Sequence, residues 1–170
     1  MTSRSPSLRA WFALGALACV GLLVYALVLQ YFQGQDPCPL CLVQRGFFTL
    51  VMVAFLVGAV HNPGRSGAVV YSVLALLSAG GGLAVAGRQV WLQHLPADQV
   101  PACGPDLYFM LQNFPLSRTL QKLFIGTGEC VEVKWRFLGL SIAEWSLAWF
   151  AALALYALWI AARSRRLRRS

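Results

Sequence analysis

The chain has 170 residues, 58% of them apolar and only 12% charged, about half the charged share of an ordinary soluble domain. That much apolar surface cannot be hidden in one domain of this size, which excludes a water-soluble fold and leaves a single integral membrane domain over 1–170. The formal charge of +8 does not signal nucleic acid, because five of the fourteen basic residues fall in the last eight positions and no basic face with interleaved aromatics occurs elsewhere.

Four apolar runs are long enough to cross a bilayer, which takes roughly 20 residues. The first span is expected at about 10–32, with no charge between Arg9 and Asp36. It is too long for a secretory signal core and lacks a clear small-residue cleavage site before Gln33. The second is expected at about 42–60, its only charge being Arg45 near the start. The third, at about 67–87, holds Gly80, Gly81, Gly82 and Gly87, small residues suited to close helix packing. The fourth, at about 144–162, runs into the terminal arginine cluster. A segment in lipid must satisfy its own backbone hydrogen bonds, so all four are expected to be helices, giving an all-α four-helix membrane bundle.

Lysine and arginine placement sets the orientation. Arg4 and Arg9, the turn around Arg65, and the cluster Arg163 to Arg169 all fall on one side. Both termini are therefore expected in the cytoplasm. The loops at about 33–41 and 88–143 then face outward, into the periplasm of a bacterium with two membranes. Trp11, Tyr31, Trp91, Trp135 and Trp145 fall near span ends, where aromatic rings anchor to the interface. In the long loop, Leu116, Leu120, Leu123 and Phe124 recur at helical spacing after Pro115. They fit a short amphipathic helix, either lying on the membrane or packed on the spans.

Four of the five cysteines fall in these two outer loops, an oxidising setting where thiols pair. Cys38-Pro39-Leu40-Cys41 sits at the mouth of the second helix, where backbone N–H groups and the helix dipole favour a thiolate. Cys103 and Cys130 form the second pair. Taken alone, that pair fits a structural staple, worth about 3–4 kcal/mol in the loop-entropy estimate, as well as it fits redox exchange. Two exchangeable pairs on one side of a membrane can pass electrons between them. A zinc site would need a second close ligand pair, which the chain lacks. Cys19 lies mid-span and reads as a packing residue.

Arg45 stands one helical turn after Cys41 and shares its face. An arginine inside a span is costly and often functional. It can stabilise a thiolate or donate to the carbonyl of a lipid-soluble quinone, or simply snorkel to the interface. Gln44 beside it can bond a ligand or the backbone. Arg88 can serve a headgroup or an anchor, and His94 reads as a surface histidine.

These features together resemble the disulfide bond formation protein B (DsbB) family: four spans, C-x-x-C in the first outer loop, an arginine four residues past Cys41, and a second pair in the long loop. Gly128-Glu129-Cys130 followed by Trp135-Arg136-Phe137-Leu138-Gly139-Leu140 also looks like the family's. The resemblance covers nearly the whole chain. It implies a thiol:quinone oxidoreductase of the bacterial inner membrane, with disulfides Cys38–Cys41 and Cys103–Cys130 and ubiquinone or menaquinone at Arg45. The implied partner is a periplasmic thioredoxin-fold protein of the DsbA type, whose thiolate attacks Cys103. Cys130 then engages Cys38, and Cys41 is freed toward the quinone. Some members carry an acidic residue where Gln44 stands, or a cysteine where Gly46 stands. The segment between Cys103 and Cys130 varies within the family.

Two rival readings remain at the level of sequence. One is a membrane structural or assembly protein with two stapling disulfides. The other is a four-helix enzyme with a helix-mouth C-x-x-C that carries reductant inward or acts on epoxides and quinones.

Overall fold

The computed structural model describes residues 8–34, 37–96, 112, 113, 115 and 135–166. Cys103, Cys130 and the amphipathic segment 116–124 lie outside the described residues. Among the described residues there are four long helices: α1 (Leu8–Gln33), α2 (Pro39–His61), α3 (Arg65–Gln93) and α4 (Ile142–Arg166). All four are long and apolar enough to cross a membrane. Each of the four expected spans lies inside one of them.

The helix ends follow local chemistry. Cys38 caps α2, with its side chain accepting from the Cys41 N–H, and Pro39 occupies the first turn, where its missing N–H costs nothing. At the other end Asn62 takes a left-handed conformation, φ 44°, and Pro63 prevents continuation. Helix α3 continues through 88–93, past the apolar run, because no glycine or proline interrupts it before Pro96. Helix α4 begins in a capping box: Ser141 Oγ accepts from the Glu144 N–H at 3.3 Å, and Glu144 Oε2 accepts from the Ser141 N–H at 2.6 Å. The two contacts satisfy donors that the first helical turn would otherwise leave open.

A two-stranded hairpin leads into α4. Strand β1 (Arg136–Phe137) pairs antiparallel with β2 (Leu140–Ser141). Its turn residues Leu138 and Gly139 both have positive φ, 53° and 82°, the pattern of a type I′ turn.

Helix α3 packs mainly on α4 and α2, while α1 packs mainly on α2. The core is built from aromatic rings set against glycines. A Cβ on Gly15 of α1 would meet the Phe55 ring of α2, and one on Gly58 of α2 would meet the Phe12 ring of α1. On α3, Gly81 makes room for Phe47 and Gly82 for Phe150, whereas Gly80 faces open space. Phe150 also stacks on Phe48, with ring centroids 3.9 Å apart. Of the third-run glycines, Gly81 and Gly82 therefore pack against rings rather than a neighbouring backbone. Cys19 is fully buried in this core. The outer faces are apolar too: Leu17, Leu77 and Leu155 are each 67% exposed, which suits lipid and not water.

Candidate quinone and disulfide site

A cavity of about 600 Å³ lies at the end of the bundle that carries the C-x-x-C. Its walls come from Leu22, Ala26 and Leu29 of α1, Phe48 of α2, and Trp145 and Trp149 of α4. Its polar end is formed by Cys38, Cys41, Gln44, Arg45 and Gln89. Mostly apolar walls with a few convergent polar groups are the usual make-up of a small-molecule site.

The N-terminus of α2 places the cysteines. Because Cys38 is the capping residue and Cys41 lies in the first turn, their Sγ atoms stand 2.7 Å apart. The Cys41 N–H points back at Cys38 Sγ at 3.3 Å. Negative charge on either sulfur is therefore met by the positive end of the helix. Cys38 is buried and Cys41 only partly so.

Arg45 lies one turn deeper. Its Nη1 donates to Gln30 Oε1 at 2.5 Å and its Nη2 to the Ala26 carbonyl at 3.0 Å. The guanidinium thus spans from α2 to α1 at the cavity wall rather than snorkelling away. It has five N–H donors in all, so further donors remain for a ligand carbonyl.

Gln44 does not bond the backbone as one alternative had it. It is buried to 3% exposure, and its Nε2 donates to Gln89 Oε1 at 2.6 Å. Gln89, equally buried, in turn places Nε2 3.3 Å from Cys41 Sγ and 3.4 Å from Cys38 Sγ. Gln89 was not singled out from the sequence, and neither were Gln30 and Gln93. The available signal was Gln89 and Gln93 at i, i+4 on an uninterrupted helix. Gln93 Oε1 accepts from Ser141 Oγ at 2.8 Å, which joins the end of α3 to the start of α4.

The hairpin closes one side of the cavity. Trp135 and Phe137 line it. Trp135 meets Tyr25 of α1 edge-on at 6.4 Å and stacks with Phe137 at 5.9 Å. Trp145 Nε1 donates to the Phe137 carbonyl at 3.0 Å. Trp135 and Trp145 therefore do more than anchor the interface. Arg88 turns elsewhere, its guanidinium lying 4.2 Å from the Trp91 ring centroid. His94 is exposed at the α3 C-cap, its Nδ1 2.8 Å from the Val90 carbonyl.

A thiol pair opening onto an apolar cavity with a fixed guanidinium is suited to moving electrons between sulfur and a lipid-soluble acceptor. The comparisons with known proteins agree. The family model for disulfide bond formation protein DsbB matches residues 8–160. The chain belongs to the DsbB family. Disulfide bond formation protein B of Hahella chejuensis is 49% identical over 158 residues, covering 93% of this chain and 94% of its own. The proteins of that name from Xanthomonas euvesicatoria and Chromobacterium violaceum are 45% and 46% identical, each over more than nine-tenths of both chains.

This DsbB-family chain is a multi-pass protein of the bacterial inner membrane and a disulfide-generating oxidoreductase that reoxidises the dithiol oxidant DsbA. The family depends on quinone, and the donor set here fits one: apolar and aromatic walls for the ring and tail, Arg45 for a carbonyl oxygen. The reading as a structural or assembly protein falls with that assignment.

Proposed function

We propose that Cys38 and Cys41 are the pair that hands electrons to ubiquinone or menaquinone, and that Cys103 and Cys130 receive them from the DsbA-type partner. The observation that carries this is the closeness of the two α2 sulfurs at the polar end of the cavity, with Arg45 one turn away.

The sequence of exchange balances as follows. A thiolate of the reduced partner attacks Cys103 Sγ, the Cys103–Cys130 bond breaks, and the electron pair goes to Cys130. The second partner thiol then displaces Cys103, so the partner leaves with its disulfide. The Cys130 thiolate attacks Cys38 Sγ, forming a Cys130–Cys38 bond and breaking Cys38–Cys41, whose electron pair goes to Cys41. Cys103 displaces Cys38 from Cys130 and restores its own pair. Each transfer is an ordinary thiolate–disulfide exchange. A bound quinone supplies a two-electron, two-proton acceptor, which lets Cys38–Cys41 close again. Arg45 holds its place through Gln30 and Ala26 and offers its remaining N–H groups to the carbonyl oxygen.

The orientation follows the placement of lysine and arginine: termini and the turn between α2 and α3 in the cytoplasm, the segments between α1 and α2 and between α3 and α4 in the periplasm. The long loop can then meet a soluble periplasmic partner.

Purified protein in nanodiscs, mixed with a reduced DsbA-type protein and a soluble quinone analogue, should oxidise the partner and reduce the quinone in equal amounts. Retention of quinone reduction by Cys41→Ser would refute the assignment. Impermeant maleimide on intact spheroplasts should tag single cysteines placed at 35 and at 113. Tagging of only one would break the scheme, because the two loops would then lie on opposite sides.

A further inference from the structure

The sulfur pair has a neighbour that the exchange scheme leaves without a role. Gln89 reaches from α3 to both sulfurs, and Gln44 reaches from α2 to Gln89. Both amides are 97% buried. A buried amide must find partners for its N–H groups and its oxygen, or else weaken the fold. Two glutamines could satisfy each other anywhere in the core. Here one of them spends its N–H groups on sulfur, a weak acceptor when neutral.

That arrangement makes sense when the sulfur is charged. A thiolate only accepts, so the group facing it must be the Gln89 –NH₂. The Gln89 oxygen must then face Gln44, which must donate from its own –NH₂, as it does at 2.6 Å. The charge on the sulfur and the bond between the glutamines thus fix both amide orientations. The same amide also serves the protonated state: a Cys41 thiol can donate to Gln89 Oε1 at 3.7 Å. Gln89 can follow Cys41 through both states without moving.

We propose that Gln89 is a catalytic residue of the thiol exchange, donating a hydrogen bond to the sulfur that takes the electron pair when Cys38–Cys41 opens. Gln44 is a positioning residue, acting through Gln89 by holding its amide with nitrogen toward sulfur. This rests on the reading that the Cys38–Cys41 pair exchanges. In the step concerned, an incoming thiolate forms a bond to Cys38 Sγ, the Cys38–Cys41 bond breaks, and the pair comes to rest on Cys41. The Gln89 N–H and the α2 N-terminus share the resulting charge. A hydrogen bond to a charged acceptor is roughly twice as strong as a neutral one. The donor therefore favours the opened state over the closed one.

The test uses the full chain in detergent with Cys103 and Cys130 both replaced by serine, so that only the α2 pair exchanges. The pair is equilibrated in dithiothreitol redox buffers, quenched by alkylation and read by mass shift. Gln89→Met keeps length and apolar volume but removes the donor. It should lower the equilibrium constant for reduction about tenfold, a potential about 30 mV more negative. Gln44→Met should lower it about threefold. Gln89→Glu, which turns an oxygen toward the sulfur while keeping an acceptor for Gln44, should lower it most. The initial alkylation rate of the reduced pair at pH 7 should fall in the same order.

Constants within twofold of the parent in both Gln89→Met and Gln89→Glu would overturn the proposal. If Gln89→Met does not fold, Gln89→Glu, which keeps the side chain's shape, decides. No quinone enters this titration, so it is separable from the reading it rests on. A parent that reduces no quinone would defeat the oxidase assignment for these cysteines, while the potentials would still report on Gln89.

Discussion

Arg45 Nη1 and Gln30 Oε1 lie 2.5 Å apart, and Nη2 of the same guanidinium reaches the Ala26 carbonyl. The two acceptors are four residues apart on α1, one helical turn. A planar fork bridging them has its plane set by a helix to which it does not belong. The ammonium of a lysine, a point charge on a flexible stem, cannot reproduce that.

Arg45→Lys should therefore raise the KM for quinone about tenfold, and Arg45→Ala should lower kcat/KM about a hundredfold, roughly 2.7 kcal/mol. Gln30→Leu keeps the charge but frees one arm of the fork. It should raise KM about threefold with kcat close to the parent's. Steady-state quinone reduction with a reduced partner in excess measures all three.

The order of exchange makes a second prediction. With Cys130→Ser, Cys103 has no disulfide to be attacked; its thiolate instead attacks the disulfide of the oxidised DsbA-type protein, one partner sulfur leaving as a thiolate, and no resolving thiol remains in the long loop. Cys103 should then be found in a covalent adduct with the DsbA-type protein, visible on non-reducing gels and lost in Cys103→Ser. In Cys41→Ser the long-loop pair should still oxidise one equivalent of partner, after which turnover stops. A burst of one equivalent without quinone reduction is the signature to look for in rapid-mixing experiments.

How far the sequence foretold the site depends on how local each relationship is. Cys38, Cys41 and Arg45 were legible because they lie within two turns of one helix, so i, i+3 and i+4 spacing already puts them together. Helix α3 was read short because Arg88 ended the apolar run, and span length was taken from hydropathy. The backbone has no such reason to stop before Pro96, and in the extra turns lie Gln89 and Gln93. The Gln44–Gln89 and Arg45–Gln30 bonds join different helices, and spacing along the chain carries no trace of them. The hairpin was hidden for another reason. A type I′ turn is signalled by Asn-Gly or Asp-Gly, and here Leu138 occupies the first positive-φ position. By contrast Ser141-Ile142-Ala143-Glu144 is a capping-box pattern before an apolar run, readable without any structure.

That box gives a third prediction. Ser141 satisfies the Glu144 N–H and also holds Gln93. Ser141→Ala should cost about 1–2 kcal/mol, as the loss of an N-cap usually does. The midpoint of thermal unfolding in detergent should fall by about 3–6 °C. Because Ser141 is paired with Arg136 across the hairpin, the aromatic wall of Trp135 and Phe137 should loosen as well, raising the quinone KM more than it changes kcat. Ser141→Thr keeps the hydroxyl and should recover most of both effects.

The glycines of α3 separate packing from chemistry in one helix. A Cβ at Gly82 would collide with the Phe150 ring, which is held from the other side by its stack on Phe48. Phe150 is fully buried, so the ring has nowhere to retreat. Gly82→Ala should destabilise by about 1–3 kcal/mol, the usual cost of overpacking a close-packed core. Two residues away, Gly80 has nothing within 4 Å of the same added atom. Gly80→Ala should be neutral or stabilising by up to about 1 kcal/mol, since alanine loses less backbone entropy in a helix. Phe48 also lines the cavity, so Gly82→Ala should move the ring stack and raise quinone KM, whereas Gly80→Ala should leave turnover unchanged. Thermal melts and quinone kinetics on the two single variants check both halves. Equal melting midpoints for the pair would mean that the Phe150 ring is not wedged as described.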